Sequence, residues 1–226
     1  MFDNPWTGVI SDKVLVHPED APYVNELNRL YRDDKDHQIE TRLPPSPCIG
    51  YFEAPLVVLL ANPSFITEDV ATQQEPNNLE LILAAATTAG GTPFWTLTEQ
   101  GQKIDTNHWW TKHTRDLAEV VGGFKALSSR MLSVELHAYH SPKWSSPLMT
   151  LPTQHFSFAL VQQAMDRDAT IVVARCQNYW YASVPGLSKY KRQVANLKSP
   201  RSAHLSRKNL GDKGFRLVEK ALTQPR

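Results

Sequence analysis

The stretch LVVLLANPS, residues 56–64, decides the fold. Its first six residues, Leu56 to Ala61, are all apolar and run directly into an Asn-Pro-Ser turn. A short apolar run bounded by turn residues is typical of a strand buried on both faces, as in a parallel sheet. Pro63 has no N–H group to continue the ladder, so the strand ends at Asn62. We therefore expect Asn62 at the carboxyl edge of the sheet, where ligands bind in open α/β folds. An ordinary Asn-Pro turn is the alternative.

Three further segments are predicted as strands, with helices between them. The strands are 131–138 (MLSVELHA), 170–176 (TIVVARC) and 193–198. Helices are predicted over 21–33, 108–121, 154–168, 179–184 and 209–222, whereas residues 71–108 show little period and are predicted as mostly loop. Strands that alternate with helices predict a three-layer α/β/α fold around a central four-stranded, mostly parallel sheet.

Length and composition are typical of one globular domain over residues 1–226, in which residues 1–50 form a helical and proline-rich lead. No apolar run approaches the roughly 18 residues of a membrane span, so we expect a soluble cytoplasmic protein without a membrane partner. The two cysteines are too few for a four-cysteine iron–sulfur cluster. Neither GxxxxGK[ST] nor GxGxxG occurs, so no nucleotide cofactor is expected.

The net charge of +1 hides a strong asymmetry along the chain. Residues 187–226 carry 11 Lys and Arg against two acids, and residues 1–186 carry the other 13 bases against 21 acids. The C-terminal segment is therefore +9 and the remainder −8. A basic segment on an acidic body indicates a polyanionic partner such as DNA, and a solvated basic helix is the alternative. No protein partner is inferred.

Polar and aromatic residues follow three of the predicted strands. They are Asn62, Ser64 and Phe65 after the first, His137, Tyr139 and His140 at the end of the second, and Ser199, Arg201 and His204 after the fourth. Because parallel strands end at one edge, this set favours a site for an aromatic, anionic ligand. His137 and His140 lack a nearby carboxylate at metal-ligand spacing, so no metal is expected.

Two of these segments resemble motifs of the uracil-DNA glycosylase superfamily. Asn62-Pro63-Ser64 is similar to the first motif of its mismatch-specific and single-strand-selective branches, which reads Gly-x-Asn-Pro-Gly/Ser. The loop 199–204 (SPRSAH) resembles the second motif, which reads His-Pro-Ser-Pro-Arg-Asn-Pro in the single-strand-selective branch. The two motifs follow the first and last of the four predicted strands, and a basic helix follows the second. The resemblance in order covers residues 50–222.

The resemblance implies a role for each matching residue. Asn62 would hold the water that attacks the anomeric carbon, and Ser64 and Phe65 would contact the flipped base, Phe65 by stacking. A core phenylalanine under the turn is the alternative for Phe65. The second loop would hold DNA phosphates through Lys198, Ser199 and Arg201. Arg207 and Lys208 would extend that contact at the start of the following helix.

The sequence departs from the family pattern at two positions. Leu197 stands where the second motif has a histidine, and a leucine cannot hydrogen-bond a leaving base. His204, further along the loop, would replace it as a catalytic residue, and a solvated loop histidine is the alternative. His137 aligns with the asparagine that reads uracil, with Tyr139 beside it in the base site. An imidazole offers a different hydrogen-bond pattern from an amide, so we expect a modified base rather than plain uracil. A buried histidine bonded to backbone is the alternative.

These observations give one main hypothesis and two alternatives. The chain would be a monofunctional DNA glycosylase that needs no metal or organic cofactor and leaves an abasic site. Its base would be a modified pyrimidine, by analogy with superfamily members that excise hypermodified cytosines from phage DNA. The alternatives are a non-catalytic DNA-binding module on the same fold and a free-nucleoside hydrolase.

Overall fold

A single five-stranded sheet forms the centre of the molecule. The computed structural model describes residues 3–9, 15–105, 107–144, 150–199 and 201–224. The strands are β1 (Cys48–Gly50), β2 (Leu56–Leu60), β3 (Met131–Glu135), β4 (Thr170–Val173) and β5 (Gln193–Val194). Their spatial order is β1-β3-β2-β4-β5, with β1 antiparallel to β3 and the other pairs parallel. The sheet is therefore mostly parallel, and β2 lies at its middle.

The four predicted strands are confirmed, but the predicted count of four is wrong. The additional strand β1 has three residues and follows the proline-rich segment 43–47. Such a short antiparallel edge strand leaves no periodic pattern to detect. Gly50 in β1 has φ +122°, and a Cβ there would lie 2.2 Å from the carbonyl oxygen of Met131. Only glycine fits this close approach.

Helices cover both faces of the sheet. They are α1 (Trp6–Val9), α2 (Ala21–Leu30), α3 (Thr67–Gln73), α4 (Pro76–Thr87), α5 (Glu99–Ile104), α6 (Trp109–His113), α7 (Arg115–Val121), α8 (Phe124–Ser128), α9 (Gln154–Asp166), α10 (Gln177–Ser183) and α11 (Arg207–Thr223). Short 3₁₀ turns occupy Lys35–His37, Trp95–Leu97 and Leu187–Lys189. No helix of the described residues is both long enough and apolar enough to cross a membrane.

Alternate residues of the strands divide the core into two layers. Val57 and Leu59 of β2 pack in a cluster with residues of α2, α9 and α10. Leu56 and Val58 pack on the other face in a cluster with residues of α4, α7 and α11. Since side chains alternate along a strand, each fully buried strand serves both clusters. The fold is a three-layer α/β/α arrangement, as predicted.

The helix predictions are right in part. The predictions over 21–33, 154–168, 179–184 and 209–222 are confirmed as α2, α9, α10 and α11 with shifted ends. The prediction of loop over 71–108 is wrong, because α4 and α5 lie there. The sequence LILAAA in α4 is apolar at every position and so shows no apolar period, although only Ile82, Ala85 and Ala86 are buried. The predicted helix 108–121 divides into α6 and α7 at Thr114.

The N-terminal segment packs against the same core as the sheet. Trp6 is fully buried and meets Tyr139 edge to face, with ring centroids 6.0 Å apart. Val24 and Leu27 of α2 also lie in this cluster. The lead therefore covers one face of the sheet and contributes to its core.

Candidate functional site

A cavity of about 300 Å³ lies at the carboxyl ends of β2 and β3. The loop 61–65 after β2 forms one side and residues 140–144 after β3 form another. The cavity is closed from the outer layer by Trp95, by Asp105 and Asn107 before α6, and by Trp109 and Trp110 of α6. The first predicted motif is therefore part of the wall. This is the edge where ligands bind in open α/β sheets.

Asn62 is held in place through its amide nitrogen. Nδ2 donates to the hydroxyl of Ser141 at 2.8 Å, to the carbonyl of Pro63 at 3.1 Å and to that of Tyr139 at 3.4 Å. The amide oxygen accepts no hydrogen bond from any described residue. Asn62 lines the cavity, so its orientation is set by the protein and its oxygen remains as an acceptor for water or ligand.

Ser64, Phe65 and His140 also line the cavity, and the first two were predicted site residues. The carbonyl of Ser64 accepts from Nδ1 of His140 at 3.0 Å. Because a carbonyl only accepts, Nδ1 carries the hydrogen in the neutral ring, and Nε2 is then an acceptor. Phe65 is half-buried, and it can offer a ring face to a planar ligand.

Glu135, the last residue of β3, is a buried carboxyl group of the cavity that the sequence analysis did not predict as a site residue. It lines the cavity and is 6% exposed. Its Oε2 has no hydrogen-bond partner among the described residues. Burial raises the pKa of this carboxyl to about 8, although the positive charge of Arg175 acts in the opposite direction. The sequence did offer one signal, because Glu135 is the single charged residue of the otherwise mostly apolar segment MLSVELHA.

Four of the six tryptophans of the chain line the cavity: Trp95, Trp109, Trp110 and Trp144. Trp95 and Trp110 are buried, and Trp109 packs edge to face on Trp110 with centroids 4.7 Å apart. Trp109 and Trp110 are neighbours in sequence, but Trp95 and Trp144 are distant from them, so no local pattern could have predicted that all four line one cavity. Flat aromatic walls favour a flat, aromatic ligand.

Arg175 connects the cavity with the second predicted motif. It follows β4, lines the cavity and donates from Nη2 to the backbone carbonyl of Arg201 at 2.5 Å. The loop itself is organised by Asn209, which is buried. Its Oδ1 accepts from the backbone N–H of Ser199 at 2.6 Å, and its Nδ2 donates to the carbonyl of His204 at 2.8 Å. Pro200, part of the quoted motif, lies outside the described residues.

His204 does not line the cavity. It stacks on His113, which in turn stacks on Trp109 of the cavity wall. The rings of Trp109, His113 and His204 form a column with successive centroids 4.0 Å apart. Nδ1 of His113 donates to the carbonyl of Trp109 at 2.7 Å. The second loop therefore supports the cavity wall through His204. In this arrangement His204 does not contact a ligand in the cavity, so its predicted place as a catalytic residue is wrong.

His137 and Tyr139, predicted to bind the base, lie on the other side of Asn62. His137 is buried beside Tyr139 and Trp144 in a space of about 30 Å³, too small for a base. Burial lowers its pKa to about 4, so it is neutral. The prediction assumed a strand as far as Ala138, but β3 ends at Glu135 and the chain bends at Leu136. The bend turns His137 away and leaves Glu135 in the cavity.

Tyr139 has a structural role in this arrangement. Its hydroxyl donates to the fully buried carboxylate of Asp20 at 2.7 Å and accepts from the backbone N–H of His17 at 3.0 Å. Asp20 also accepts from the hydroxyl of Thr153 at 2.6 Å. This network joins the N-terminal segment to α9 and to the loop after β3.

Tyr139→Phe is therefore expected to lower the free energy of unfolding by about 1–2 kcal/mol, because the N–H of His17 and the carboxylate of Asp20 each lose a buried partner. Chemical denaturation measures the change. Tyr181→Phe is the matched control, because that hydroxyl bonds Gln193 at a half-buried position. An unchanged stability in Tyr139→Phe would contradict the structural role.

The predicted DNA-binding residues form an exposed basic surface beside the cavity. Lys198, Ser199, Arg201, Arg207 and Lys208 are all exposed. Arg207 already makes contacts within the protein: its guanidinium lies 4.3 Å from the ring centroid of Phe215 and 3.5 Å from the carboxylate of Asp212. Lys198, Arg201 and Lys208 form no ion pair with a described residue and remain available to a polyanion.

No group of three or more His, Cys, Asp or Glu side chains that could hold a metal ion occurs in the part of the chain that the structure describes. Comparison with family models, with curated proteins and with solved structures finds no match to this chain.

Proposed function

We propose that this protein is a DNA glycosylase that hydrolyses the N-glycosidic bond of an extruded base and leaves an abasic site. One observation carries the proposal: Asn62, whose amide oxygen accepts no hydrogen bond from a described residue, lines an aromatic cavity at the carboxyl edge of the sheet. An oriented amide oxygen can hold an attacking water, although it is a weak base. The similarity of the two loops to uracil-DNA glycosylase motifs supports this role.

The size and walls of the cavity suit a single base. Its volume of about 300 Å³ is at the lower end of small-molecule sites, so it favours one extruded base over a dinucleotide. Enzymes that act on bases hold the flipped base between aromatic or apolar side chains. Phe65 and the four tryptophans supply such surfaces. A modified pyrimidine remains the proposed substrate class by analogy with superfamily members that excise hypermodified cytosines. His137, the residue that pointed away from plain uracil, lies outside the cavity and does not support this choice.

The basic surface supplies the second requirement, contact with the DNA backbone. Because Arg175 lines the cavity and also bonds the main chain of Arg201, the phosphate-binding loop and the base site are directly joined. Backbone contacts set the position of the protein on DNA, and the extruded base then enters the cavity beside them. DNA is thus the proposed partner and the cytoplasm the proposed compartment.

The double variant Lys198→Ala/Arg201→Ala should weaken DNA binding and lower its dependence on salt. Each lost phosphate contact lowers the slope of log K against log salt by about 1, so we expect a decrease of about 2. The contact from Arg175 to the main chain of residue 201 does not need the Arg201 side chain. Titration of duplex DNA at several salt concentrations measures the slope. Lys35→Ala/Lys125→Ala, at exposed positions outside the basic surface, is the control. An equal slope in both double variants would contradict the assignment.

Base release is the test of the proposed activity. Wild-type protein is incubated with DNA that contains uracil, thymine mismatches or hypermodified cytosines, and released bases are identified by mass. Release of a free base supports the proposal. Release from free nucleosides alone would identify a nucleoside hydrolase, and DNA binding without release from any substrate would overturn the enzyme assignment.

A non-catalytic DNA-binding module is the second candidate, because of one observation. Leu197, at the position of the motif histidine, is 6% exposed and packs in the core cluster with Leu205 and Leu210. A residue in this environment cannot reach a ligand. On this reading the second loop retains its contact with phosphates and has lost its catalytic group. The base-release experiment decides between the two candidates.

A further inference from the structure

Glu135 occupies a position that packing does not explain. A buried carboxyl group without a hydrogen-bond partner costs free energy, and an apolar residue of similar volume would cost less. Oε2 of Glu135 has no partner among the described residues, and the residue lines the cavity. An unsatisfied polar atom in a binding cavity indicates a partner that arrives with the ligand.

We propose that Glu135 is the catalytic residue that gives a proton to the departing base, an inference that rests on the proposed glycosidic hydrolysis. The register of the sheet pairs Glu135 with Leu60, two residues before Asn62. The two side chains therefore come from the ends of neighbouring strands and line the same cavity. The second loop lacks a donor because Leu197 stands where the motif has a histidine. Glu135 at the end of β3 supplies the donor instead.

The reaction balances with water as the second reactant. When the N-glycosidic bond breaks, its electron pair stays with the base, and the O–H of Glu135 transfers its proton to that base. A water held by Asn62 forms a bond from its oxygen to the anomeric carbon. The proton that this water loses restores the carboxyl group of Glu135. The products are one free base and one abasic sugar, without an oxidant, a reductant or a metal.

The surroundings of Glu135 keep it in the form that can donate. Burial raises the pKa of its carboxyl group to about 8, so it is protonated at neutral pH. The charged and titratable groups around it are the thiol of Cys48 on β1, Arg175 and Cys176 after β4, and His140 and Asp105 in the cavity wall. Arg175 favours the ionised form and limits the shift.

Glu135→Gln tests the inference, because glutamine retains the shape and a hydrogen-bond donor but cannot transfer a proton. We expect base release at pH 7 to fall at least about 100-fold, with DNA affinity unchanged. Ser133→Ala is the matched control. Ser133 precedes Glu135 by two residues, is also buried, and does not line the cavity. The wild-type rate should fall as pH rises through about 8, where Glu135 loses its proton.

The outcomes separate the two proposals. A Glu135→Gln variant that releases base as fast as the wild type would overturn proton donation. A wild-type rate that rises with pH through about 8 would also overturn it, and would indicate that the carboxylate acts as a base. A wild type that releases no base overturns the proposed function and this inference with it. Carbon-13 NMR of labelled glutamate, assigned by the signal missing in Glu135→Gln, gives a readout without activity. A carboxyl group ionised at pH 6 would overturn the inference.

Discussion

Replacement of Asn62 with alanine is expected to slow base release at least about 100-fold, the usual effect of removing one oriented polar group from a catalytic site. Alanine removes the oxygen that would hold the attacking water and also three hydrogen bonds donated by Nδ2. Single-turnover base release measures the change. DNA affinity should stay near that of the wild type, because the exposed basic residues are untouched.

The matched control for this variant is Asn77→Ala. Asn77 is an exposed residue of α4 that does not line the cavity, so its replacement should leave base release unchanged. Aspartate is not a conservative replacement at Asn62, since a carboxylate would bring a negative oxygen against the carbonyls of Pro63 and Tyr139. Retained base release in a folded Asn62→Ala would remove the water-holding role.

Glu135→Gln is expected to raise the free energy of unfolding by about 3 kcal/mol at pH 7. The carboxyl group of Glu135 has a pKa of about 8 in the fold against an ordinary value of 4.5. The native state therefore binds a proton at pH 7 that the unfolded chain has lost. Each pH unit above the ordinary value costs about 1.4 kcal/mol. The contribution of Glu135 to stability is fully present below pH 4.5 and is lost as pH rises through about 8.

Urea denaturation between pH 4.5 and 8.5 measures this difference. The gap between Glu135→Gln and wild type should be smallest at the acidic end and should widen with pH, because glutamine does not titrate. Ser133→Ala should show a constant gap to wild type. A constant gap in Glu135→Gln as well would mean that Glu135 is not protonated in the fold at neutral pH. A variant that is less active but more stable is typical of the replacement of a functional group that lowers the stability of the fold.

The sheet could be predicted from sequence because its inner strands are short apolar runs bounded by turn residues. LVVLL and TIVV carry that pattern, and β2 and β4 are found there. The helix α4 was missed because the uninterrupted apolar run over residues 81–86 hides the period of 3.6. Strand β1 was missed because three residues carry no period.

The candidate site could be predicted only where it follows a strand directly. Asn62, Ser64 and Phe65 line the cavity because they directly follow β2, although that strand ends at Leu60 and not at Asn62 as predicted. His137 was placed in the site by extending β3 three residues too far, and the bend after Glu135 moved it to the other side. The tryptophan walls and Arg175 depend on contacts between segments that are distant in sequence.

The most direct measurement is the mass balance of a duplex that carries the proposed modified pyrimidine, after incubation with the wild-type protein. Free base and abasic sites are counted in the same sample, and strand length is determined on a denaturing gel. We expect one abasic site for each free base, on strands that remain intact. DNA that is bound but keeps every base, or strands that break without a free base, would contradict it.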